Sequence, residues 1–292
     1  MKPTQPRVVR VARGAGRWFP AGAAELRATV SRYIEDGPAP LPATGRVVAV
    51  TSPHAGYVYS GAVAGYAFRA LRDRSQAETV VILGFSHRGG FPGVALMDGD
   101  ALRTPLGEAE LDVEASGWLV QSSPRIVVDY RPHDGEHSAE NQVPFVQVAL
   151  PKARLVIALI GDHDPDTFRA LSGALCRLAG RRKLAVVAST DLLHDPDWKT
   201  VAAADRKTLD LIAGLRADEL ARSWSFGHQV CCGIGPVLTA MAFAADLEAT
   251  NGVVLRYRNS GDDFPDSRGS WVVGYGAVAF IASPGAKPPP GQ

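Results

Sequence analysis

The chain has 292 residues, 46% of them hydrophobic, and 31 basic residues against 30 acidic ones give a formal net charge of +1. That is enough apolar material for a large core, and the charge balance excludes a general attraction to nucleic acid or to an anionic membrane. Three cysteines build no disulfide framework, and no apolar run approaches a membrane span or a signal-peptide core, so a cytoplasmic protein is expected.

Along the chain, Arg7, Arg10, Arg13 and Arg17 read as a solvated lead-in. Leu26, Val30, Tyr33 and Ile34 fall at helical spacing over 24–35, and Gly37-Pro38-Ala39-Pro40 stops that helix before a buried strand at Val47 to Val50. Ser60 is placed to cap a helix running to about Leu71, and Thr79 to Gly84 reads as the next strand. A Gly/Pro-rich turn leads to a short strand from Val94 to Met97, Asp112 caps a helix to about Leu119, and Ile126 to Asp129 is again strand-like. Ser138 suits the N-cap of a helix carrying Val143, Val146 and Leu150, in which Pro144 fits only if the first turn starts later.

A strand at 154–160 precedes Asp164-Pro165 and a helix with Phe168, Leu171, Leu175 and Leu178. Then follow a strand at 184–189, helices over 199–213 and 217–224, a helix from Pro236 to Leu247, and strands from Val253 to Arg258 and Trp271 to Phe280. This alternation predicts an α/β fold of three layers, α/β/α, around a mostly parallel or mixed sheet. Residues 1–282 are expected as one domain, and the Pro/Gly-rich segment 283–292 as a disordered tail.

Four histidines stand just past strand-like segments: His54, His87, His163 and His194. Successive parallel strands deliver the residues after their carboxyl ends to one edge of a sheet, where ligands bind, so histidines distant in sequence can meet there. His54 and His87 are the best pair for one metal ion, and Cys232, in a glycine-rich turn before a helix, is an attractive third donor. Taken singly, each has a plainer account, since a histidine caps a loop and a cysteine packs as a small hydrophobe.

Asp191 sits three residues before His194, a spacing at which a carboxylate can orient an imidazole for acid/base work. A polar loop carries His133, Asp134, Glu136 and His137, with His137 the better pocket candidate. His163, between Asp162 and Asp164-Pro165, is expected in a capping turn, His228 in a loop wall and Cys176 in the core. A Gly-x-Ser-x-Gly elbow, a P-loop and a Cys-x-x-Cys pair are all absent from the sequence.

Several of these segments together resemble one family. They are Pro53-His54-Ala55-Gly56-Tyr57-Val58-Tyr59-Ser60-Gly61, Ile82-Leu83-Gly84-Phe85-Ser86-His87, Arg103-Thr104-Pro105-Leu106 and Glu136-His137-Ser138-Ala139-Glu140, then Ser189-Thr190-Asp191 with His194, and Cys232-Gly233 with Pro236. In this order, from Gly16-Arg17-Trp18-Phe19 to the last strand, they resemble the Memo family, also called AmmeMemoRadiSam system protein B. The resemblance implies a fold similar to the catalytic subunit of class III extradiol dioxygenases, which hold non-haem Fe(II) with two histidines and a glutamate. In Memo-like chains a cysteine replaces the glutamate.

Carried over by motif, the resemblance makes His54, His87 and Cys232 the metal ligands, Asp191 and His194 either supports behind those ligands or acid/base groups, and His137 a pocket residue, with Cys231 the adjacent alternative thiolate. The chain departs from many relatives in Arg88-Gly89-Gly90 after His87 and in Asp195-Pro196 after His194, both expected at the pocket rim. The function expected is a metal-dependent oxidoreductase, an Fe(II) oxygenase acting with dioxygen on a small phenolic or chelating substrate. Copper or zinc are the alternative metals. A non-catalytic metal- or peptide-binding protein and a metal-dependent hydrolase are the alternative functions.

Overall fold

The computed structural model describes residues 6–36, 41–42 and 44–283. In chain order the elements are β1 (Val9–Val11), α1 (Ala23–Glu35), β2 (Arg46–Ser52), α2 (Tyr57–Arg74), β3 (Thr79–Phe85), β4 (Val94–Leu96), β5 (Ala101–Thr104), β6 (Gly107–Glu110), α3 (Val113–Ser122), β7 (Ile126–Val128) and α4 (Val143–Ala149). They continue with β8 (Arg154–Ile160), α5 (Pro165–Ala179), β9 (Leu184–Ser189), β10 (His194–Asp195), α6 (Trp198–Ala213), α7 (Ala217–Ser223), α8 (Ile234–Asp246), β11 (Ala249–Asn259), α9 (Ser260–Asp263) and β12 (Val272–Ala282).

Nine strands form the central sheet in the order β10-β12-β2-β9-β3-β8-β4-β7, with β11 also paired to β12. The middle four, β2, β9, β3 and β8, are mutually parallel, while β12 runs antiparallel to β2 and β4 antiparallel to β8, so the sheet is mixed. Burial on both faces explains the near-continuous apolar runs of the central strands. On β3, Val80 and Ile82 pack with Phe68, Leu71 and Phe145 of α2 and α4, whereas Val81 and Leu83 point to the opposite core with Leu171, Leu175, Val237 and Phe243 of α5 and α8. Helices therefore cover both faces, as the alternating pattern predicts.

Local signals set several boundaries. The Asp112 carboxylate accepts from the Ala115 N–H at 3.0 Å to cap α3, and Asp164 accepts from Asp166 N–H at 2.9 Å to cap α5, with Pro165 in the first turn. Ser60 is not the cap of α2. The helix starts at Tyr57 after Gly56, and the Ser60 hydroxyl, within the first turn, donates to the Ala55 carbonyl.

Nor does Ser138 cap α4, because its hydroxyl donates to the Phe85 carbonyl and accepts from the Phe85 N–H, fastening its loop to the end of β3. The helix begins at Val143, which leaves Pro144 in a first turn whose N–H groups need no helical partner. The basic N-terminus is not a solvated lead-in either. β1 pairs with β5 in a small sheet, order β1-β5-β6, while Arg10 bonds Asp98 and Arg7 bonds Glu110.

The helix stop at Gly37 to Pro40 and the tail 284–292 lie outside the described residues. Among the described residues, no helix is long and apolar enough to cross a membrane.

Candidate metal centre

Adjacent strands β2, β9 and β3 end at one edge of the sheet, and the segments leaving them carry His54, Asp191 and His87. His54 is buried and held from several sides. Its N–H donates to Asp191 Oδ1 at 2.8 Å, and its carbonyl accepts from Asn141 Nδ2 at 2.6 Å. Its Nδ1 lies 2.9 Å from Ser189 Oγ, whose own proton goes to the Ser138 carbonyl and which also accepts from Gln142 Nε2 at 2.9 Å. Ser189 is left with acceptor capacity only, so His54 carries its proton on Nδ1 and presents a bare Nε2.

His87 is fixed by the same logic with a charged partner. Its N–H donates to Glu136 Oε2 at 2.7 Å and its Nδ1 donates to Glu136 Oε1 at 2.9 Å, so Nε2 is the ring nitrogen left for another partner. Burial alone would raise the Glu136 carboxyl, but the His87 contact and the N–H groups of Ser138 and His87 overrule it and hold the group at about 2. A buried carboxylate behind an imidazole is the arrangement that raises the basicity of a metal-binding histidine. Gly84 permits it, because a Cβ there would meet Ser138 Oγ at 2.6 Å and Ala139 N at 2.8 Å.

The third donor comes from the turn before α8. Cys232 Sγ lies 3.4 Å from His54 Nε2 and accepts the Asp191 N–H at 3.1 Å, while Cys232 N–H donates back to the Asp191 carbonyl at 3.2 Å. Gly233 lets this turn press on β9, since a Cβ would come within 2.5 Å of the Ser189 carbonyl. His54, His87 and Cys232 thus each offer a ligand atom within 4.8 Å of the others. Burial, and next the Asp191 charge, raise the Cys232 thiol well above its ordinary pKa. Cys231, by contrast, is fully buried in the core on the other side of the turn, with its thiol pushed up to about 12.

The donor set fits a transition metal: two neutral imidazole nitrogens and one potential thiolate match the donor count of a two-histidine, one-anion iron site, with a softer third ligand. His54, His87 and Cys232 would hold it. Glu136, His87 and His137 also lie within the same distance limit of one another, but Glu136 is committed to four N–H donors and belongs behind His87.

Above the donors opens a cavity of about 850 Å³ lined by His54, His87, His137, Asp191 and His194 together with a largely aromatic wall. His137 is clamped between Trp18, stacked at 4.0 Å and 5°, and His87, stacked at 4.5 Å and 23°. Burial first, then the neighbouring His54 and His87, push His137 down to about 3. His194 stands on the short edge strand β10, paired with Val273, and its ring meets Trp271 edge-on at 5.8 Å. Its side chain is exposed, and partial desolvation outweighs the opposing Asp191 charge to lower its pKa, which leaves the ring a neutral base near pH 7.

The expected Asp191–His194 hydrogen bond is replaced by another arrangement. Asp191 Oδ1 accepts from the N–H groups of His54 and Ala55, and its Oδ2 lies 4.0 Å from His54 Nε2. Of the remaining histidines, His133 is buried with Nε2 on the Ala95 carbonyl, His228 lies in an exposed turn, and His163 lines a different cavity. In the sequence Glu136 stands in the polar loop beside His137, and Ser189 stands only in the Ser189-Thr190-Asp191 segment. Their roles depend on side-chain contacts 49 and 135 residues away in sequence. Trp18 stood in a quoted motif, and its place against His137 had no sequence signal.

The family model described as "Memo-like protein" matches residues 10–279. A MEMO1 family protein of Methanopyrus kandleri is 35% identical over 275 residues, covering 91% of this chain and 96% of its own. One from Methanothermobacter thermautotrophicus is 36% identical over 269 residues, covering 89% and 96%. The structure of an uncharacterized protein from Escherichia coli K12 shares the fold at a TM-score of 0.51 and 13% identity, over 80% of this chain and all of that one. Since the motif residues of this chain converge on one sheet edge and the match runs nearly from end to end, the chain belongs to the Memo family.

Proposed function

We propose that this chain is a metal-dependent oxidoreductase, a non-haem Fe(II) oxygenase acting on a small phenolic or otherwise chelating substrate. The observation that carries the reading is the pair of imidazoles whose Nδ1 atoms are engaged by Ser189 and Glu136, with His54 Nε2 3.4 Å from Cys232 Sγ and a ligand atom of His54, His87 and Cys232 within 4.8 Å of the others. His54, His87 and Cys232 would hold iron, which would supply redox chemistry toward dioxygen and a chelating substrate. A thiolate in place of a carboxylate keeps one negative charge but is softer, which leaves copper as the alternative metal and zinc as the redox-silent one.

The chain's own residues do the rest. The stacked Trp18 and His137 rings stand in an aromatic wall with Tyr57 and Trp271, against which an aromatic ring can pack. His194, neutral near pH 7, is placed at the cavity wall to take a proton from a phenolic hydroxyl. Asp191 acts through the backbone of His54 and through the Cys232 sulfur, holding both donors to one loop.

Anaerobic reconstitution with Fe(II), followed by dioxygen uptake with catechol as probe, tests this. Uptake that disappears in His54→Ala is the expected result. Stoichiometric iron binding without uptake favours a non-catalytic metal-binding protein, hydrolysis by the zinc form favours metal-bound-water chemistry, and failure to bind Fe(II) overturns the iron reading.

A further inference from the structure

The cavity over the donors has an uneven charge pattern. Among its described lining residues Asp191 is the only carboxylate, and its Oδ1 is occupied by the N–H groups of His54 and Ala55. Two guanidinium groups, Arg17 and Arg32, line the same cavity, and neither forms an ion pair among the described residues. Each lies over a ring of the cavity wall instead, Arg17 at 5.3 Å from the Trp18 centroid and Arg32 at 5.2 Å from that of Tyr33. A guanidinium resting on an aromatic face keeps its N–H edge available for an anion.

Both rings are tied to one residue near the metal donors. The Trp18 carbonyl accepts the Tyr57 N–H at 2.8 Å, and Tyr33 Oη donates to the Tyr57 carbonyl at 3.0 Å. Tyr57 opens α2 three residues after His54, so Trp18 and Tyr33 are both hydrogen-bonded to the segment that carries His54. About 850 Å³ is also the size of a site for a molecule larger than a single phenol.

We propose that the substrate is an elongated phenolic anion, whose hydroxyl-bearing ring lies at the Trp18–His137 stack with its oxygen toward His54 and His87, and whose carboxylate or phosphate is held by Arg17 and Arg32. The head of this assignment rests on the metal-centre reading above, and the tail on the charge pattern alone.

Calorimetric titration of the full chain, metal-free and loaded anaerobically with Fe(II), with four catechols of similar size tests it: dihydrocaffeate, hydroxytyrosol phosphate, neutral propylcatechol and cationic dopamine. The two anions should bind about tenfold tighter than propylcatechol, the increment expected of two exposed charge pairs. The tighter anion identifies the tail as carboxylate or phosphate. In the Arg17→Ala/Arg32→Ala double variant the anion advantage should vanish while propylcatechol affinity stays unchanged.

Equal binding of neutral and anionic probes, preference for dopamine, no binding of any probe, or an advantage that survives the double substitution overturns the proposal. If the arginine-dependent preference is found but no probe consumes dioxygen, the oxygenase reading fails and the anion site stands. Uptake that is indifferent to probe charge has the opposite meaning.

Discussion

Two histidine-bearing cavities open where parallel strands of the same sheet end, and they are built differently. One follows β2, β3 and β9 and holds His54 and His87. The other, about 410 Å³ between α5, α7 and α8, holds His163, which follows β8. In the first, the Nδ1 atoms of His54 and His87 each meet a buried oxygen, and the Cys232 sulfur lies 3.4 Å from His54 Nε2. In the second, the His163 ring stacks on Trp224 at 4.5 Å and meets Phe226 at 4.9 Å, with neither carboxylate nor thiol among its ring partners. A histidine after a strand is thus common property of this sheet edge. What sets His54 and His87 apart, and makes them the proposed donors, is a buried acceptor behind the ring and a sulfur from another element nearby.

The largest expected difference is between adjacent cysteines. Cys232→Ala should lower Co(II) or Fe(II) affinity by more than about a hundredfold, beyond the loss expected for an outer partner, and abolish the thiolate-to-Co(II) absorption band. Cys231→Ala should keep that band, because its sulfur points into the core. A band that survives the first substitution and vanishes in the second would exchange the roles assigned to the two sulfurs.

Next come the groups behind the rings. Glu136→Gln keeps an acceptor for His87 Nδ1 but removes the charge, and should weaken metal binding about 10- to 100-fold by competition with a chelator. Ser189→Ala removes the neutral hydrogen bond behind His54, worth about 1 kcal/mol, along with those to Gln142 and Ser138, and should cost only about fivefold in metal affinity. Equal losses in the two variants would mean that the Glu136 charge has no special part.

A pH effect separates the loop of the first cavity from the rest of the fold. Asp205 on α6 is fully buried, accepts the Leu193 N–H at 3.0 Å beside His194, and accepts from Tyr257 Oη at 2.8 Å. Burial raises its carboxyl to about 7 despite both bonds. The folded value lies above the unfolded one, so its contribution to stability is complete below about pH 4 and is lost as pH rises through 7. Urea unfolding at pH 5 and pH 8 should therefore show wild type losing more stability than Asp205→Asn, by an amount on the order of 3 kcal/mol. Parallel behaviour of the two proteins would remove Asp205 from the account.

The same contrast explains what could be read from the sequence. Buried β2, β3, β8 and β9 were legible because runs such as Val80 to Gly84 stay apolar when both faces are covered, and Asp112 and Asp164 announced their helices by local capping chemistry. Ser60 and Ser138 carried the same local signal yet serve other partners, Ala55 and Phe85, and Phe85 is 53 residues distant from Ser138. β1, β5 and β6 are too short to show an alternating pattern, and their partners are set by distant pairing. His54, His87 and Cys232 were found by strand-end position and family resemblance, whereas Ser189 and Glu136 needed the fold to reveal which ring each one faces.

The smallest effect belongs to the second cavity and tests the comparison from its other side. His163→Ala deletes one member of an aromatic stack, worth about 1 kcal/mol. Trp224 should stay in place because its Nε1 donates to the Cys231 carbonyl at 2.9 Å, in the peptide that leads into Cys232. Thermal unfolding should therefore shift by only a few degrees, with metal affinity and the Co(II) band unchanged. If the substitution instead weakens metal binding severalfold, the Trp224–Cys231 hydrogen bond transmits the state of the second cavity to the sulfur donor, and the two cavities can no longer be treated as independent.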